Sequence, residues 1–165
     1  MPRLAMLALA WGLAACASRA PAPVAQSLSA PADPAVVTLE RTPCFGSCPV
    51  YLVAASGSGA VRFEGKSHVS HAGSAVGRIP KARLDSLLAE LEAAGYFDFE
   101  EHYTPGSPAC GNAATDLPTV TTSVSLHGRI KRIEHYRGCA GAPRALSRLE
   151  EKIDEVLNTA QWIGQ

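Results

Sequence analysis

A chain of 165 residues, 47% of them hydrophobic, is long enough to bury one real core and too short for two comfortable domains. Its 15 basic residues cancel 15 acidic ones, which excludes a whole-chain field of the kind that draws in nucleic acid or an acidic membrane surface.

The chain opens MPRLAMLALAWGLAAC. One basic residue, Arg3, precedes an apolar run from Leu4 to Leu13 and then small residues, the outline of a secretion signal over residues 1–15. The run is about half of the roughly 20 residues that a spanning helix needs, so no lasting transmembrane anchor is expected. Leu13-Ala14-Ala15-Cys16 resembles a bacterial lipobox. That resemblance implies that the Cys16 thiolate takes a diacylglyceryl group through a thioether and that the signal is cut before it. The alternative is an ordinary signal cleaved near the alanines, with Cys16 incidental. Cysteine counting favours lipidation: 5 cysteines are an odd set for an exported chain, and using Cys16 leaves an even one. Arg3 leaves with the signal, so 14 basic residues face 15 acidic ones and attachment to the membrane would be by lipid. Two or three acyl chains, at about 0.8 kcal/mol per buried methylene, suffice. Ala17 in place of Asp after the anchor favours, by resemblance to enterobacterial sorting, the outer membrane with the domain facing the periplasm.

Residues 16–35 follow the anchor with prolines at 21, 23, 31 and 34 among small and polar side chains. They read as a tether that would reach roughly 60 Å if extended. The folded domain is expected over 36–165. Val36 to Arg41 and Val50 to Ala55 are Val- and Leu-rich with partial alternation, and Ser56-Gly57-Ser58-Gly59 turns into Ala60 to Glu64, predicting three antiparallel strands. Lys66 to Gly77 is an ambiguous fourth. Pro80 precedes Leu84, Leu87, Leu88 and Leu91 at helical spacing, with Gly95 as the stop.

Tyr96 to Tyr103, YFDFEEHY, interleaves aromatics with acids. It reads as half core and half solvated rim, or else as a recognition patch. Val120, Thr122, Val124 and Leu126 alternate with polar residues as a strand, and His127-Gly128 turns into Arg129 to Tyr136. Ile130 and Ile133 fall on opposite faces there, predicting a bulge or an edge position. Pro143 opens a final helix with Leu146, Leu149, Ile153, Val156 and Leu157 on one stripe. The order strands, helix, strands, helix predicts an α+β domain, an antiparallel sheet with two helices on one face.

Cys44 and Cys48 lie within TPCFGSCPVY. In an oxidising compartment so short a cysteine ring is readily a disulfide. Four cysteines allow three pairings, and spacing forces the first pair close, so Cys44–Cys48 and Cys110–Cys139 are expected as structural bonds. The rival reading is chemical: Cys44-x-x-x-Cys48-Pro49 is similar to the CxxxCP of Sco-type copper chaperones, and soft thiolates select Cu(I). Those sites sit where a strand enters a helix, whereas Val50 to Ala55 reads as strand. No metal or cofactor is therefore expected, with Cys44 and Cys48 as ligands in the copper or thiol-redox alternative.

His68 and His71 would point to opposite faces of a strand. His102, His127 and His135 lie in or near turns and sheet edges, where solvated histidines are common. Gly59 to Ser67 has one residue too many for a phosphate loop and opens no helix. No catalytic constellation is found, so an enzyme is not expected. Asp116 with His135 or His102 would be the first suspects for a hidden hydrolase.

TPCFGSCPVY, the Gly-x-Val-x-Phe-x-Gly run at Gly59 to Gly65, DLPTVTTSV at Asp116 to Val124 and the IKRIEHY strand together resemble domain of unknown function 6438, from about Val36 to Ile163. That family occurs in bacterial envelope lipoproteins and other exported proteins. The resemblance implies an exported α+β domain and carries over no catalytic residue. The compact SGSG turn departs from the family's longer one. The expected role is an envelope lipoprotein that binds an envelope protein or cell-wall component without catalysis.

Overall fold

The computed structural model describes residues 34–164. The expected signal (1–15), the lipidation site Cys16 and the tether up to residue 33 lie outside the described residues. The architecture is α+β: a mixed, mostly antiparallel sheet of seven strands with two main helices.

Strands β1 (Ala35–Arg41), β2 (Val50–Ser56), β3 (Ala60–Ser67) and β4 (Gly73–Arg78) form an antiparallel meander. Helix α1 (Lys81–Ala93) follows, then a 3-10 turn at Tyr96–Asp98 and the two-residue strand β5 (His102–Tyr103). The hairpin β6 (Thr119–Leu126) and β7 (Arg129–Tyr136) leads to α2 (Arg144–Leu157) and a last turn α3 (Ala160–Ile163). The strand order is β4-β3-β2-β1-β6-β7-β5, so the two hairpin systems join through the antiparallel β1–β6 ladder.

Two strand expectations change. The pairing of β5 with β7 is parallel, so the sheet is not purely antiparallel. The register of β6 with β7 runs unbroken from Thr119↔Tyr136 to Leu126↔Arg129, so β7 carries no bulge. Its mismatch has the other expected cause: β5 covers only its far end, and Ile130 stands 75% exposed on the uncovered edge portion.

The core follows the period-2 pattern. Val37 and Leu39, Val53 and Ala55, Val61 and Phe63, Val120 and Val124, and Ile133 are buried together, as the register pairs Leu39 with both Val53 and Thr122. Thr122 is buried too, and its hydroxyl shares a 2.7 Å hydrogen bond with the Tyr96 hydroxyl. Leu84, Leu87, Leu88 and Leu91 of α1 and Leu146, Leu149, Ile153, Val156 and Leu157 of α2 close this core. Each fully buried leucine contributes about 1.5–3 kcal/mol over leaving it exposed. Trp162 stacks on Phe63 at 5.0 Å between ring centres and its carbonyl accepts from the His71 amide at 2.9 Å, fastening the chain end to the β3–β4 hairpin.

Two glycines of the Gly-x-Val-x-Phe-x-Gly run have a steric reason. Gly59 holds φ +81°, and a Cβ there would overlap the Ile79 carbonyl oxygen. At Gly65 a Cβ would overlap the His71 carbonyl oxygen. Only a missing side chain lets the chain just before and just after β4 lie this close. In YFDFEEHY, Tyr96 and Tyr103 are buried while Asp98, Glu100 and Glu101 are exposed; the run is half core and half rim. Among the described residues no helix is long and apolar enough to cross a membrane.

Candidate functional site

Between β1 and β2 the chain makes the loop that holds TPCFGSC. Thr42 extends the β1–β6 ladder through its amide to the Thr119 carbonyl at 3.0 Å, and its hydroxyl accepts from the Thr119 amide at 2.8 Å. The Cys44 and Cys48 sulfurs then lie at bonding distance, as do those of Cys110 and Cys139. The Phe45 amide donates to the Asp116 carbonyl at 3.1 Å, tying the cysteine ring to the loop before β6. With its backbone held, Phe45 projects its ring into solvent at 88% exposure, and Leu117 on the neighbouring loop is 41% exposed. Val50 continues as strand from the second cysteine, so the chain opens no helix after the pair. Among the described residues no group of three histidines, cysteines or carboxylates is placed to hold a metal.

Beside this loop opens a cleft of about 620 Å³ whose walls include Cys48, Pro49, Pro118, Arg83, Asn158 and Ile163. Its floor is a charged network. Arg41, last residue of β1, donates from Nε to the Tyr51 hydroxyl at 3.0 Å and from Nη2 to Asp154 Oδ2 at 2.6 Å. Tyr51 donates to Asp154 Oδ1 at 2.7 Å, and the Thr159 hydroxyl donates to the same oxygen at 3.1 Å. Burial, reinforced by the Asp154 carboxylate, pushes the Tyr51 phenol well above its ordinary value, so it stays a donor. Burial opposes the charge of Arg41, but Asp154 and Tyr51 together outweigh it and the net shift is upward. The tyrosine of the CPVY stretch is thus the bridge that fixes an arginine and an aspartate 113 residues apart.

One turn earlier on α2, Glu150 makes a second network. It is 1% exposed; Oε1 lies 2.6 Å from His135 Nδ1 and Oε2 accepts from Arg137 Nη1 at 2.8 Å. His135 is therefore not a solvated edge histidine. It is 2% exposed, because β5 and α2 cover the part of β7 that carries it, and the Tyr103 ring meets it edge-on at 6.1 Å.

The remaining histidines stay dispersed. His68 and His71 belong to the turn between β3 and β4, both exposed, with His71 Nε2 3.2 Å from the Ser74 carbonyl. His102 Nδ1 lies 3.7 Å from Glu134 and His127 Nδ1 3.6 Å from Glu92. The Asp116 carboxylate accepts from Thr115, while His135 is engaged by Glu150; the suspected hydrolase pairing does not assemble. Residues Ala60–Ser67 are strand throughout, with no phosphate-cradling turn.

The sequence reading missed Arg41, Asp154 and Glu150. Signals existed. Arg41 completes the inward alternation Val37, Leu39, Arg41, and Glu150 sits one turn from Leu146 inside the apolar stripe of α2. A charge on a buried stripe announces a partner, although not which one.

A family model, described as Domain of unknown function (DUF6438), matches residues 35–157, well over half of the chain. The chain belongs to that family. No curated protein matches it.

Proposed function

We propose that this chain is a cell-envelope lipoprotein, anchored through Cys16 and facing the periplasm from the outer membrane, whose domain binds an envelope partner without catalysing a reaction. The anchor rests on the Leu13-Ala14-Ala15-Cys16 sequence and the spacing on the proline-rich tether. In this reading both helices cover one face of the sheet, and binding occurs at the end of it where the cysteine loop projects.

One observation carries the binding reading. Phe45 stands 88% exposed on a ring closed by Cys44 and Cys48 and hydrogen-bonded to the neighbouring loop. A large apolar side chain in water gains nothing for the fold, and a closed ring removes most of the ordering cost of presenting it. Such rigid aromatic anchors dominate protein interfaces. The test is cross-linking and capture from intact envelopes with the full-length protein. A specific partner lost in Phe45→Ala and in a Cys16→Ser form released from the membrane is the expected result. Capture that does not depend on Phe45 would move the interface elsewhere and defeat the reading.

The thiol alternative stays with Cys44 and Cys48. At bonding distance their sulfurs offer no thiolate to copper until a dithiol reductant opens the pair. Copper retained by the reduced full chain and lost in Cys48→Ser would favour it over binding.

A further inference from the structure

Two guanidinium groups reach the cleft beside the loop with donors to spare. Arg41 spends Nε and Nη2 on Tyr51 and Asp154, and among the described residues its Nη1 has no partner. No buried side-chain nitrogen or oxygen among them is left unpartnered, so Nη1 is open to solvent in a side chain only 18% exposed. Arg83 uses Nη2 to cap the Glu155 carbonyl at 3.0 Å, which fixes the guanidinium on the wall of the cleft and, among the described residues, leaves its other donors available.

The acids of the same wall are differently placed. Glu151 meets Arg137 at 3.3 Å and Glu155 meets Lys152 at 3.0 Å, so each is already neutralised from outside, and Asp154 accepts from Arg41, Tyr51 and Thr159 at once. The cleft therefore holds cationic donors that are not spent on its own acids. Beside them stand the apolar surfaces of Pro49, Pro118, Ala160 and Ile163.

We infer that the cleft captures the free carboxylate of a peptide chain end whose terminal side chain is small and apolar. Guanidinium donors meet a planar carboxylate through paired charge-assisted hydrogen bonds. The prolines, Ala160 and Ile163 would take the side chain and exclude water from that pair. Recognition of a terminal carboxylate is an established mode of peptide binding. The same chemistry could come from a protein C-terminus or from a cell-wall peptide ending in a D-amino acid. The inference rests on the binding reading above and assigns its ligand class.

The test is calorimetric titration of the detergent-solubilised full-length protein. The probes are acetyl-Lys-L-Ala-L-Ala, acetyl-Lys-D-Ala-D-Ala and the C-terminal amides of both. Binding of at least one free acid is expected, weakened roughly tenfold or more in its amide and to a similar degree by Arg83→Gln. Arg83 is exposed and its one hydrogen bond is at the surface, so the variant is expected to stay folded, which its melting curve checks. Preference for the L or D peptide identifies the source, and either preference supports the inference. Equal binding of acids and amides, indifference to Arg83→Gln, or no acid binding up to about 10 mM, where the free energy is under roughly 3 kcal/mol, overturns it. Phe45-dependent capture of a partner in the envelope experiment, with no acid bound here, overturns the carboxylate assignment and spares the docking loop.

Discussion

The two cross-linked regions share a bond type and little else. Cys110 and Cys139 are 0% and 6% exposed and belong to the core cluster. Around them Gly141 donates to the Cys110 carbonyl and Ala140 to the Asn112 carbonyl, both at 2.8 Å, so the bond fastens the long loop after β5 to the segment after β7. Cys44 and Cys48 are only partly covered, and their ring presents Phe45 to water. A cross-link inside the core shares its effect with packing; one at the surface can only fix what projects from it. The contrast teaches that the first bond is part of the packed core and the second closes a ring at the surface.

The most severe way to break the contrast is to remove the buried bond. Cys110→Ser with Cys139→Ser should cost about 3.5 kcal/mol from loop entropy alone, further increased by two hydroxyls left in apolar surroundings, and urea unfolding measures it. Cys44→Ser with Cys48→Ser should cost about 2 kcal/mol on the same basis. Its distinctive result is loss of Phe45-dependent capture from a protein that still folds. Equal destabilisation by the two double variants would erase the distinction.

Tyr51→Phe sharpens it at the joint between loop and core. It removes a hydrogen bond to the Asp154 carboxylate, a loss of about 1.5–3 kcal/mol. It also changes the alkaline limb. Burial raises the folded phenol above its ordinary 10.0, so its stabilisation is complete below pH 10 and is lost as pH rises through the folded value. Tyr96 is raised by burial in the same direction. Stability should therefore fall above pH 10, and less steeply in Tyr51→Phe. Smallest in stability is Phe45→Ser, expected within about 0.5 kcal/mol of the parent; a larger loss on thermal melting would mean that the exposed ring supports the fold after all.

Legibility followed the range of the interactions. The leucines of α1 and the stripe of α2 were readable because a helix repeats every 3.6 residues, and β6 because a strand repeats every two. The cysteine ring was readable because its ends lie 4 residues apart. His135 was misread because its burial comes from the pairing of β5 and the folding back of α2 over β7, which the pattern of its own strand does not encode. The two-residue β5 carries no period at all, so its parallel pairing left no trace.

By itself, then, the sequence determined the α+β class, the near pair of cysteines and the apolar faces, since each depends on contacts within about one element. Tertiary structure alone decided that Arg41 meets Asp154 113 residues away, that Glu150 holds both His135 and Arg137, and that a cleft opens beside Cys48 and Pro49. Those pairings exist only after β1 has docked between β2 and β6 and α2 has settled its apolar stripe on the core. A buried charge reveals in the sequence that it needs a partner, and only the closed fold supplies one.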